Sequence, residues 1–400
     1  MAHRILHIID DSSAHDALTA LAALAVDDGH RVLALGHRDV LARYVDCGGD
    51  ARFATAARSL GWADPTGWLA VRRAARDFSA THLHAWGVGS AVAAATVTQS
   101  LPRVCTLGIA PTRAQGRILR TLESRQTWAF VATSSTVARA IAGQALGGAK
   151  QERLGRIRPG ISMAQPHEAL GPRELREALG IAPDEGPVLL AGGEGRGTRL
   201  DFSLWVAAIL VELFPKMRMI VRLGDEPHAN ARAQRFANDM LRHDINIFVD
   251  HDWPWASLCR AADMMIVASD GPISVRSILH AMAAGTPVIG TANEDISELI
   301  EHGHTGLLAY APKRDEIRGE PTPPGRLPRT ICSRIEEFMG DSTLRWPLTD
   351  RARADVYAHF RPAQMRTQYA TLYANLLTDP KLENGLQLPP EEVTAADRMA

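Results

Sequence analysis

Two doubly wound parallel α/β sheets, one in each half of the chain, are the fold that this sequence predicts. Three observations carry the prediction. Short continuous apolar runs recur, among them RILHIID (4–10) and RVLALG (31–36) in the first half and PVLLAGG (187–193) and MRMIVRLG (217–224) in the second. Such runs, bounded by turn residues, read as strands buried on both faces. Ala- and Leu-rich stretches of helical spacing lie between them, so strand and helix alternate throughout, as crossover-connected parallel strands require. At 400 residues, 46% hydrophobic and 22% charged, the chain is long enough for two ordinary globular cores.

In chain order, RILHIID leads through the turn DDSSAHD into a helix over 16–27, and RVLALG follows. That turn holds no glycine, so it lacks the close backbone approach by which glycine-rich loops cradle a phosphate. THLHAWG (81–87), RVCTLG (103–108) and WAFVATSS (128–135) read as further strands of this half. His84 and Trp86 stand where a parallel strand hands over to its helix, which is where open α/β sheets collect ligands, so His84 is a candidate functional residue. IRPGIS (157–162) closes the half, and the Pro-, His- and Gly-rich stretch 164–173 reads as a linker.

The second half restarts with PVLLAGG, the loop GEGRGTR and a helix over 201–214, then MRMIVRLG, INIFVD (245–250), the loop HDWPW (251–255), a helix over 256–262 and the strand DMMIVAS (263–269). Five prolines between 312 and 328 mark a surface loop, 331–340 and 349–359 read as helices, and 364–377 is an amphipathic helix with Tyr369, Leu372, Tyr373 and Leu376 on one face. The polar stretch 379–400 is expected to be disordered.

Composition excludes several functions. A net charge of −1 gives no global field for nucleic acid or an anionic membrane. The four cysteines, Cys47, Cys105, Cys259 and Cys332, have no metal-ligand spacing and read as buried thiols, and no metal or cofactor is expected. With no secretory leader and no apolar run of the roughly 18 residues that span a bilayer, the expected location is the cytoplasm.

The stretch SDGPISVRSILHAMAAGTPVIG (269–290) carries the chemistry. Gly271 and Pro272 are expected to start a helix over 273–284, because proline at a first helical position loses no hydrogen bond. Val275, Ile278, Leu279 and Met282 fall on one face, and Pro272, Arg276 and His280 on the opposite stripe. Free N–H groups at such a start, with Arg276 one turn in, suit a phosphate or carboxylate. An anion is therefore expected between Ser269, Gly271, Arg276 and the loop 194–199, with a base near Val249 to Trp253.

The order of these elements resembles the GT-B glycosyltransferases, and particularly their large retaining family four, over nearly the full chain to about Leu377. AMAAGTPVIGT (281–291) followed by ISELIEHGHTGLL (296–308) is the most specific part. IRPGIS, VRLGDEP (221–227) and LCRAADMMIVAS (258–269) resemble the family's interdomain segment and two of its turns. The resemblance implies two Rossmann-like domains facing across a cleft: 1–163 on the acceptor side, 174–350 binding the donor nucleotide, and terminal helices over 351–378 crossing back to the first. It also implies sugar transfer from a nucleotide-diphospho sugar to a glycan, lipid or small-molecule acceptor.

The family's two donor-binding glutamates fall at Pro272 and His280, and its diphosphate-binding Arg and Lys at Gly193 and Thr198. One family histidine matches His84, whereas Trp86 replaces another. Arg196 and Arg199 lie close enough to restore the missing charge, since Gly192, Gly193, Gly195 and Gly197 make their loop permissive. A non-catalytic protein of this fold binding a nucleotide, anion or protein partner is the competing reading. A sugar-nucleotide epimerase is a third, without an extra acid–base pair to support it.

Overall fold

The computed structural model describes residues 3–11, 13, 15–36, 38–58, 64–97, 100–146, 151–161, 170–193, 197–224, 227–239, 245–250, 253–310, 326–379, 382 and 386. The linker stretch to residue 169, the proline-rich loop to 325 and nearly all of the 379–400 tail lie outside them. The chain divides into two compact units, Met1–Ser162 with His359–Glu392, and Met163–Ala358 with Val393–Ala400.

In the first unit the strands are β1 (Ile5–Ile9), β2 (His30–Gly36), β3 (Ala54–Arg58), β4 (His82–Trp86), β5 (Arg103–Leu107), β6 (Ala129–Ala132) and β7 (Leu154–Arg156). They form one seven-stranded sheet in the order β3-β2-β1-β4-β5-β6-β7, parallel throughout. The connecting helices are α1 (His15–Leu24), α2 (Arg38–Asp46), α3 (Pro65–Asp77), α4 (Val88–Ala95), α5 (Arg113–Arg125) and α6 (Ser135–Gln144). Their starts follow from local chemistry. Asp64 accepts the Thr66 N–H with Pro65 at the first position of α3, Thr112 and Gln115 form a capping box on α5, and Ser134 caps α6.

The second unit holds β8 (Val188–Ala191), β9 (Arg218–Arg222), β10 (Asn246–Val249), β11 (Met264–Val267), β12 (Val288–Thr291) and β13 (Leu307–Ala309) in the order β10-β9-β8-β11-β12-β13, again parallel. Its helices are α7 (Pro172–Ala178), α8 (Leu200–Leu210), α9 (Pro227–Asp239), α10 (Trp255–Ala261), α11 (Arg276–Ala284), α12 (Glu294–Ser297), α13 (Arg326–Gly340) and α14 (Ser342–His359). Side chains of α8, α9 and α13 share one apolar core with this sheet. Helices α7, α10 and α11 pack together.

One face of the first sheet is covered by α3 to α6, through Val71, Ala91, Leu119 and Ile141, and the other by α1, α2 and a last helix, α15 (Pro362–Thr378). Buried Met365, Tyr369, Leu372, Tyr373 and Leu376 of α15 complete that second layer. Residues 157–161 fix its entry. A Cβ on Gly160 would lie 2.5 Å from the Pro362 Cα, so only glycine admits the contact. Beside it the Ile161 N–H donates to the Phe360 carbonyl at 3.1 Å.

Candidate active site

Parallel sheets gather ligands at the C-terminal ends of their strands, and in the second unit those ends are tied together by one short loop. Residues 194–196, including the candidate Arg196, lie outside the described residues. From Gly197 the chain docks on the segment after β11. The Gly197 N–H donates to the Pro272 carbonyl at 3.0 Å, the Asp270 N–H to the Gly197 carbonyl at 3.1 Å and the Arg199 N–H to the Ala268 carbonyl at 2.9 Å. Thr198 and Ser269 form an antiparallel bridge. A Cβ on Gly197 would stand 2.3 Å from the Gly271 carbonyl carbon, so only glycine at 197 permits this backbone contact, whereas a Cβ on Gly271 would lie 3.3 Å from the Gly197 Cα.

Ser269 closes its own turn. Its hydroxyl donates to the Gly271 carbonyl at 2.7 Å and faces the Gly271 N–H at 3.3 Å, while its backbone N–H donates to Thr291 Oγ1 at 3.0 Å. Asn293 Nδ2 donates to the same Gly271 carbonyl at 3.3 Å. The turn is thus anchored to the end of β12 from two sides.

The helix after this turn begins at Arg276, with Val275 as its N-cap, and not at Pro272. The reason is local. The Pro272 carbonyl is taken by Gly197, the Ile273 N–H is met by Asp295 Oδ2 at 3.1 Å and the Arg276 N–H by Ser274 Oγ at 3.3 Å. The protein's own buried carboxylate, Asp295 on α12, therefore sits where an external anion was expected. Of the stripe expected opposite the apolar face, Pro272 is exposed but Arg276 and His280 are buried. Every residue from Arg276 to Met282 is inside, Arg276 and His280 each at 5% exposure, because α10 packs along α11.

Arg199 is placed at this edge but already paired. Its Nε and Nη2 grip Asp201 in a bidentate pair at 3.0 and 2.8 Å, its Nη1 donates to Asp270, and its guanidinium lies 3.6 Å from the Phe202 ring centre. Burial works to raise the Asp201 pKa, but the hydrogen bonds and charge of Arg199 outweigh it, so this carboxyl titrates below the usual range. Asp270 is the more exposed partner, at 54% of its side chain.

On the other side of β8, the loop after β10 folds back over its neighbours. Val249 is buried, with its carbonyl accepting the Leu223 N–H at 2.8 Å, and the Trp253 carbonyl accepts Arg222 Nε at 3.1 Å. The Arg222 guanidinium lies 4.5 Å from the Trp255 ring centre, and that ring covers Gly192, where a Cβ would meet it at 2.2 Å. Arg222, Trp255 and Asp295 escaped the sequence reading. The signal for Trp255 was present in the tryptophan-rich loop HDWPW. Asp295 carried none, because its role depends on a turn 22 residues earlier.

The structure therefore brings Arg199, Ser269 and Gly271 together, sets Val249 and Trp253 along the same sheet edge, and places Arg276 and His280 in the helix packing behind it. His84 belongs to the other unit. It lies in mid-sheet on β4 at 0% exposure, with Nδ1 2.7 Å from the Tyr373 hydroxyl and Nε2 2.8 Å from Thr106 Oγ1, so it does not present a ring at the strand end. Burial holds it well below the usual imidazole range. Among the described residues no three His, Cys, Asp or Glu side chains are set to hold a metal ion, and no helix is long and apolar enough to cross a membrane.

Comparison with solved structures places this architecture. Anabaena Alr3699/HepE in complex with UDP and glucose superposes with a TM-score of 0.73 over 92% of this chain and 98% of that one, at 18% identity. Sucrose-phosphate synthase from Thermosynechococcus elongatus superposes with a TM-score of 0.69 over 94% and 99%, also at 18% identity. The chain has the GT-B fold. Residues 200–318 match the family Glycosyl transferases group 1, so β11, the turn and α11 lie inside that match and the 197–199 loop immediately precedes it.

Among curated relatives, N-acetyl-alpha-D-glucosaminyl L-malate synthase of Bacillus anthracis is 29% identical over 209 residues, 52% of this chain and 50% of the relative. D-inositol 3-phosphate glycosyltransferase of Streptomyces bingchenggensis is 25% identical over 230 residues, 53% and 49%. The GT-B chain described here spans about half the length of the curated relatives it matches.

Proposed function

We propose that the protein is a retaining glycosyltransferase that takes a sugar from a nucleotide-diphospho sugar, with the nucleotide held at the C-terminal edge of the second sheet. The observation that carries this reading is the docking of residues 197–199 on 268–272, which draws a glycine-only backbone contact, the Ser269 hydroxyl and the Arg199 guanidinium to one edge, with 268–272 inside the group 1 match. UDP and glucose in the Anabaena relative, and sugar-transferring names among the curated relatives, support the donor class.

In this reaction the bond between the anomeric carbon and the phosphate oxygen breaks. The nucleoside diphosphate leaves with the electron pair, and an acceptor hydroxyl bonds to the carbon and gives its proton to the departing phosphate oxygen. The growing charge on the leaving group needs a fixed cation or N–H donors. Arg199 fits that need through an exchange. Asp201 keeps the guanidinium oriented, while the exposed Asp270 is the partner that a phosphate displaces. Arg196, on the same loop, supplies the second cation, and the base lies toward Val249 and Trp253. Arg276 and His280 act from behind, by holding the turn that carries Ser269 and Gly271. The acceptor is a glycan, lipid or small molecule.

One observation favours the non-catalytic reading: the carboxylates of Asp270 and Asp295 already occupy the positive features of the site. Incubation with a panel of radiolabelled UDP-, GDP- and ADP-sugars separates the two. Transfer or slow donor hydrolysis supports the enzyme. Nucleotide binding without release of nucleoside diphosphate from any donor supports the binding protein.

A further inference from the structure

The face of the first sheet beneath α15 carries a row of imidazoles for which sugar transfer has no use. His7 on β1 stands in register with His84 on β4, their rings 5.3 Å apart. His30 of β2 stacks on His7 at 5.1 Å, Trp86 stacks on His84 at 4.1 Å, and His82 begins β4 on the same face. Helix α15 closes over the row. The Tyr373 hydroxyl meets His84 Nδ1, the Tyr373 carbonyl meets His82 Nε2 at 2.9 Å, and the Tyr369 hydroxyl lies 3.1 Å from Thr106 Oγ1.

The protons in this row can be placed from what each partner is able to do. Trp86 Nε1 only donates, and it reaches His7 Nδ1 at 3.0 Å. The His7 proton is therefore on Nε2, which donates to His30 Nδ1 at 2.8 Å. His82 must likewise carry its proton on Nε2, since its partner there is a carbonyl. A second proton on His7 would face the indole N–H, and one on His30 would face the His7 N–H, so charging either ring replaces a hydrogen bond by two opposed donors. His84 has hydroxyls on both sides and would keep its contacts, but as a cation at 0% exposure.

We propose that this row is an acid-sensitive latch, in which proton uptake by the imidazoles frees α15 from the first sheet. The surrounding charges leave it poised that way. Asp27, 3.9 Å from His30 Nε2, opposes the effect at His30, whereas His3 packs 5.6 Å from His82 and adds to it. On α15 itself Arg366 donates to the Ala23 carbonyl of α1, and Arg4 and Asp10 flank β1 at its two ends. Burial, reinforced by the neighbouring imidazoles, holds His7 and His84 well below the ordinary range, and burial takes His82 down to about 4.

Above a pH of about 6.5 these rings are neutral whether α15 is docked or free. As pH falls below that value only the freed state takes protons, so docking weakens from there toward about 4, by about tenfold per pH unit for each ring that responds.

Hydrogen–deuterium exchange, corrected for the intrinsic pH dependence of exchange, tests this on the full chain. Between pH 7 and 5.5 the 362–378 segment is expected to lose at least tenfold protection while β4 to β6 keep theirs. In the double variant His7→Gln/His84→Gln that pH dependence is expected to flatten. If the double variant does not fold, Tyr373→Phe is expected to fold and to move release to higher pH. Protection of α15 that holds to pH 5, loss that spreads equally through the sheet, or a variant that follows the wild-type pH course overturns the proposal.

Discussion

At Gly197 a single hydrogen atom separates the proposed site from a clash. Because an added Cβ would lie 2.3 Å from the Gly271 carbonyl carbon, Gly197→Ala must push the two segments apart. We expect a cost of about 1–3 kcal/mol and at least tenfold weaker nucleotide binding, read by thermal melting and calorimetry. Gly143→Ala is the control. A Cβ there meets nothing within 4 Å and the residue lies in α6, so it should stabilise by about 0.5–1 kcal/mol and leave binding unchanged.

Arg199 gives a second test at this scale. Arg199→Ala is expected to lower kcat/KM by about 100-fold, whereas Asp270→Asn, which removes the competing carboxylate, should lower the donor KM. Equal loss in both variants would show that the Arg199–Asp270 pair is structural. The candidate residues were legible in the sequence by type, since a glycine-rich loop with two arginines after a buried strand invites the reading. The Arg199–Asp270 pairing was not, because Asp270 lies 71 residues away and reaches Arg199 only once the loop is folded on β11. In HLHAW the alternation of His82, His84 and Trp86 puts all three on one sheet face, but that His84 is buried there, and not presented at a strand end as expected, depends on the packing of α15.

Among elements, α15 and α11 show opposite fates of a sequence expectation. The Tyr369, Leu372, Tyr373, Leu376 stripe has the spacing of a helix face, and α15 uses that face against the first sheet, because burial of a continuous apolar stripe is decided locally. Leu372 is at 0% exposure, so Leu372→Ala should cost about 2–5 kcal/mol. Truncation at Arg361 should lower the melting temperature further, and an unchanged melt would deny α15 its place in the core. The start of α11 lies at Arg276 and not at the expected Pro272. Proline at a first helical turn is a sound rule, but here its carbonyl is claimed by Gly197 from another loop, and Asp295 and Ser274 meet the N–H groups that follow. Ser274→Ala, which leaves the Arg276 N–H without that partner, should cost about 1 kcal/mol in chemical denaturation.

For the whole molecule, the alternation of strand and helix made two parallel sheets legible, and the resemblance in 281–308 made the GT-B fold legible. The order of strands within each sheet was not open to the residues alone, since pairing of β1 with β4 joins segments some 75 residues apart through contacts no local pattern encodes. The nucleotide is expected to bind where the second sheet's strand ends meet the 197–199 loop. A crystal structure of the protein soaked with UDP tests it most directly. Diphosphate oxygens are expected within hydrogen-bond distance of residues 196–199 and 269–271, with Asp270 turned away from Arg199. UDP bound away from this edge, or bound here with the Arg199–Asp270 pair intact and no contact to the loop, would contradict it.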